Sequence, residues 1–177
     1  MTTTPHHGAV LAPGILLGIG LGGFIDGILL HQLLQWHNML SSTVPPTDLV
    51  SMKYNMLWDG IFHAGTWLMT AIGVALLWRA GGKPNVPRST PAFVGSMLLG
   101  WGAFNLVEGV IDHQILGLHH VHPGRDQLAW DLGFLAFGAL LVLAGAALVR
   151  TGWRAAPQRT RWRDAGAPAG PPSTRHA

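Results

Sequence analysis

Residues 13–37 read PGILLGIGLGGFIDGILLHQLLQWH. The stretch is long enough, at 1.5 Å per helical residue, to cross ~30 Å of hydrocarbon. It carries no Lys or Arg, yet holds Asp26, His31 and His37. Three further apolar segments follow, from Asn55 to Trp78, Ala92 to Leu118 and Leu128 to Val149. Turn chemistry separates them, with Pro45-Pro46, the run from Gly81 to Pro87, and Pro123-Gly124. Lipid leaves no partner for unpaired backbone groups, and a barrel needs more strands than this chain affords, so each segment reads as a helix.

Composition agrees. Hydrophobic residues make up 49% of the 177 residues and Asp, Glu, Lys and Arg only 11%, with a mean hydropathy of +0.31. A soluble domain carries about 25% charged residues. The expected fold is all-α: an integral membrane four-helix bundle over residues 13–150. Residues 1–12 read as a flexible N-terminal tail and 151–177 as a disordered basic tail. The absence of Cys excludes disulfides, iron–sulfur clusters, thiolate zinc sites and a Cys nucleophile.

The pI near 10.2 is a topology signal rather than a nucleic-acid footprint. Arg79, Lys83 and Arg88 lie in the second loop, and Arg150, Arg154, Arg159, Arg161, Arg163 and Arg175 at or beyond the end of the last span. The first loop has only Lys53 and the third only Arg125. This bias places both termini in the cytoplasm and the first and third loops outside, in a bacterial inner membrane. The first 52 residues contain no Lys or Arg, so the charged start of a signal peptide is missing.

Residues 26–34, DGILLHQLL, align with residues 108–116, EGVIDHQIL, at an offset of 82. His37 then meets His119. Trp58-Asp59 and Trp130-Asp131 match at an offset of 72. The chain therefore reads as two parallel two-helix repeats facing each other across a pseudo-two-fold axis along the membrane normal. Gly14, Gly18 and Gly22 add small-xxx-small spacing for close packing of the first helix.

The polar residues collect in the outer half. His31 and His113 lie six residues, ~9 Å, from the outer ends of their helices. Asp59, His63 and Asp131 open the second and fourth helices, with Asp26 and Glu108 deeper. No Lys or Arg lies at that depth, so these acids must share protons, bind cations or line water. Asp59 with His63, and Glu108 with Asp112, are spaced i, i+4 on one helical face. Ligands one turn apart, joined by others from facing helices, are how bundles build metal sites.

The expected metal ligands are His31, Asp59, His63, Glu108, Asp112 and His113. Asp26 and Asp131 are placed behind them, orienting imidazoles or sharing protons. His37, His119, His120 and His122 form an outward loop cluster suited to metal entry. Copper is the first choice of metal, from the His-rich face flanked by Met39, Met52 and Met56, with iron or zinc as alternatives. The expected function is redox chemistry at the metal, a membrane oxidoreductase, or metal delivery to a respiratory or metal-handling membrane protein. Two other classes stay open. One is a proton or cation pathway through the acid–His cluster, and the other a b-type haem held by His31 and His113.

The motifs Asp26-Gly27-Ile28-Leu29-Leu30-His31-Gln32, Trp58-Asp59-Gly60-Ile61-Phe62-His63 and Asn105 to Gln114 resemble a bacterial family of predicted four-span membrane proteins, catalogued as a domain of unknown function. The resemblance implies the same topology and marks these acids and histidines as the family's signature. More locally, Asp59 and His63 are similar to the copper site of membrane-bound copper monooxygenases, where an Asp and a His one turn apart ligate the metal. That site takes a further His from the same helix, and none lies between Ala64 and Trp78 here.

Overall fold

The computed structural model describes residues 8–83, 86 and 88–155. Among these it is all-helical, with four helices long and apolar enough to cross a membrane: α1 (Gly8–Leu33), α2 (Leu49–Gly81), α3 (Thr90–Ile115) and α4 (Gln127–Ala155). Helix α1 begins ahead of Pro13 and α4 runs past Arg150, so parts of both expected tails are helical. The rest of those tails lies outside the described residues. Asp48 starts α2 with a reciprocal cap: its carboxylate accepts from the Val50 and Ser51 amides, and Ser51 Oγ accepts from the Asp48 amide. Ser89 caps α3, with Pro91 in the first turn, where a missing N–H costs nothing.

The helices pack in the order α2–α1–α3–α4. Helices α1 and α3 form the centre, while α2 and α4 turn side chains such as Leu68, Val74, Leu140 and Leu143 outward to meet lipid. Contact between α1 and α3 is backbone to backbone. A Cβ at Gly18 would fall on the Met97 carbonyl, and a Cβ at Gly100 on the Ile15 carbonyl. The flanking helices dock in the same manner. A Cβ at Gly20 would strike the Thr66 carbonyl of α2, and one at Gly102 the Gly138 carbonyl of α4.

Toward the loop end both central helices widen into π-helix, over Asp26–Leu33 in α1 and Gly109–Ile115 in α3. Bonding from i to i+5 brings residues five apart onto one face, where an α-helix would separate them. The chain leaves each widened turn through a left-handed residue, Gln35 at φ 52° and Gly117 at φ 58°.

These contacts set three stability expectations, read by thermal unfolding in detergent with tryptophan fluorescence. Gly18→Ala must push α1 from α3 and should cost ~1–3 kcal/mol, the usual range for overpacking. Gly65→Ala, with nothing within 4 Å of the added carbon, should be neutral or stabilising by up to ~1 kcal/mol. Gln35→Gly should gain up to ~1 kcal/mol by relieving the left-handed backbone. A Gly18→Ala protein as stable as Gly65→Ala would refute the contact.

Candidate metal centre

The widened turns point Asp26 and His31 the same way, and likewise Glu108 and His113. All four are buried, at 5%, 2%, 4% and 3% exposure. The residues that follow fold back over the helix ends and bring His37 and His119 inward, at 3% and 0% exposure. Four imidazoles therefore meet where α1 faces α3. The His37 and His119 rings stack with centroids 4.6 Å apart and an interplanar angle of 12°. His31 stands edge-on to His37 at 4.5 Å, and His113 edge-on to His119 at 4.8 Å.

Hydrogen bonds fix the orientation of three of these rings. His37 Nδ1 donates to the Val121 carbonyl at 2.8 Å and His119 Nδ1 to the Met39 carbonyl at 3.1 Å. A carbonyl only accepts, so the proton sits on Nδ1 and each Nε2 presents a lone pair to the interior. Burial pushes His37 down to about 4, helped by the neighbouring His31, and pushes His119 down as well, so both rings are neutral near pH 7. His31 Nδ1 donates to Asp59 Oδ1 at 3.1 Å. That carboxylate is held in turn by the Met39 amide at 2.8 Å and Asn38 Nδ2 at 2.7 Å. Asp131 is held the same way, by the Val121 amide at 3.0 Å and His120 Nδ1 at 2.6 Å, with His113 Nδ1 3.5 Å from its Oδ1.

What remains inside is a set of polar atoms without a hydrogen-bond partner among the described residues. They are Asp26 Oδ2, both Glu108 oxygens, both His113 nitrogens, and the Nε2 atoms of His31, His37 and His119. Asn105 Oδ1, on α3, and its buried side chain join this set. Leaving a buried polar atom unpaired costs ~1–3 kcal/mol, and here they converge. His31 Nε2 lies 3.2 Å from Asp26 Oδ2, and His119 Nε2 3.6 Å from Glu108 Oε1. Two donors each ~2.0–2.2 Å from one ion in tetrahedral geometry sit about 3.3–3.6 Å apart, so the spacing fits a shared metal. Among the described residues two groups could hold a metal ion: His31, His37 and His119, and Glu108, His113 and His119.

The expected ligands thus separate. His31, Glu108 and His113 belong to these groups, and Asp26 faces His31. Asp59 stands behind His31 as an orienting carboxylate rather than beside it, and Asp131 has that position for His113. His63, which the copper resemblance pairs with Asp59, donates Nδ1 to the Asp59 backbone carbonyl at 2.7 Å and packs its Nε2 edge over Gly27. Asp112 is half-buried and outside both groups, because the π-turn selects the residue five on from Glu108, which is His113, not the residue four on. His37 and His119 are interior rather than loop-exposed. His120 keeps to the outer shell through Asp131, and His122 packs edge-on to Trp36 at 4.9 Å. Asn105 opens the third of the family-like motifs but is not among the expected site residues, its signal being a polar side chain inside an apolar span.

No curated protein and no solved structure matches this chain. A family model described as a predicted membrane protein family, DUF2243, matches residues 13–152. That match takes in most of α1 and α4, all of α2 and α3, and every residue of the buried cluster. The chain is a member of the DUF2243 family of predicted membrane proteins.

Proposed function

We propose that this chain is an integral membrane metal-binding protein whose centre lies between α1 and α3, toward the outer face of a bacterial inner membrane. The observation that carries the reading is the convergence of lone pairs. The unprotonated Nε2 of His119, whose Nδ1 proton is committed to the Met39 carbonyl, and a Glu108 carboxylate oxygen at 3.6 Å repel unless a cation or a proton lies between them. Tautomers fixed by backbone carbonyls and carboxylates are the arrangement that metal-ligating histidines use. Among the described residues every ion-pair partner of the buried acids is itself a histidine, with no Lys or Arg competing for the charge.

The donor set is nitrogen and oxygen, which suits iron, zinc or copper(II). Thioether capture of copper(I) has no support here: Met39 contributes its backbone, and Met52 and Met56 are exposed on α2. A b-type haem spanning His31 and His113 would have to displace the stacked His37 and His119 rings. The uses open to such a centre are redox chemistry at the ion and delivery of the ion to a respiratory enzyme.

Elemental analysis of the detergent-purified full chain by mass spectrometry should find a first-row transition metal, lost in a His113→Ala, His119→Ala double variant. Protein from metal-replete cells that holds none, and takes none up on reconstitution, would overturn the reading in favour of a proton-sharing network. Retention separates the two uses. A resident redox cofactor should survive overnight dialysis against a chelator, whereas a delivered ion should leave within minutes.

A further inference from the structure

The contacts around the buried cluster come in pairs. His37 to the Val121 carbonyl has its counterpart in His119 to the Met39 carbonyl. The Met39 amide on Asp59 corresponds to the Val121 amide on Asp131, and Asn38 on Asp59 to His120 on Asp131. Gln35 and Gly117 share the left-handed turn, and the π-segments end at matching residues, Leu33 and Ile115. Each pair is separated by the offset of 82 between residues 26–37 and 108–119, or of 72 between Asp59 and Asp131. The two halves therefore present the same donors to a common centre.

We propose that the cluster is a dinuclear centre, with one metal ion held by His31 and His37, where Asp26 faces His31, and a second one by Glu108, His113 and His119. This rests on the metal reading above and fixes its nuclearity. Two observations support it. First, His119 has a single free nitrogen, since Nδ1 is committed to Met39, so it serves one ion and a second needs its own set. His37, the counterpart of His119, supplies that set, its Nε2 equally unpartnered. Second, the acid of each set approaches one of its own histidines, Asp26 to His31 at 3.2 Å and Glu108 to His119 at 3.6 Å. The ligand class is a pair of divalent first-row transition ions bound by imidazole and carboxylate.

The test uses the purified full chain reconstituted with Cu(II) as a spin probe, with metal counted against protein by amino-acid analysis. Two ions per chain are expected, with an electron paramagnetic resonance spectrum broadened by coupling and a half-field signal. His31→Gln and His113→Gln should each bring the count from two to one and abolish the coupling. Circular dichroism and gel filtration establish that each variant is folded. The wild-type spectrum alone decides the matter if a variant does not fold. One ion per chain with an uncoupled spectrum would overturn the dinuclear assignment and leave the metal centre standing. No bound ion would overturn both.

Discussion

The structure depends on how closely α1 approaches α3. Only glycine at positions 18 and 100 lets the helix backbones touch, each against the other's carbonyl. In lipid the hydrophobic effect does not drive helices together, so association rests on van der Waals contact over small residues and on polar groups that find partners. This contact sets the separation of the two helices, and with it the distance across which Asp26 and His31 on one side meet Glu108 and His113 on the other. A bulkier seam would hold these groups apart, each facing hydrocarbon alone. The glycine spacing and the histidine cluster are therefore two ends of one packing solution.

Much of the architecture was legible in the sequence, because span length, charge depletion and Pro/Gly breaks are local signals that the bilayer makes strict. The aligned acid-Gly-x-x-x-His-Gln segments mark the two helix ends where the buried acids and histidines gather. Ligand choice was less legible, for one physical reason. Periodicity arguments assume 3.6 residues per turn, and both segments that carry the site are π-helical. An α-helical reading joins Glu108 to Asp112 and Asp59 to His63. The widened turn instead joins residues five apart, and Asp112 rotates toward the edge. His37 and His119 lie beyond the helix ends, where no periodicity applies. Their burial follows from Gln35 and Gly117 turning the chain back through left-handed backbone.

Those two returning loops also explain why the site and the interface between the halves are one object. His37, from the first loop, is oriented by a carbonyl of the third, and His119, from the third, by a carbonyl of the first. Each loop then places the amide two residues on from its histidine on the carboxylate of its own half, Met39 on Asp59 and Val121 on Asp131. A displacement of one loop would reach the histidine of the other through a single hydrogen bond, and the acid behind its own histidine through a second. The rings at the centre are thus held by both halves at once. The correspondence between them is incomplete: Asp26 is shorter than Glu108, Leu30 stands where the second half has Asp112, and Asn38 where it has His120. Each difference puts the longer or more ionisable side chain in the second half. The shared geometry consequently encloses two unlike electrostatic environments, the more polar one beside α4.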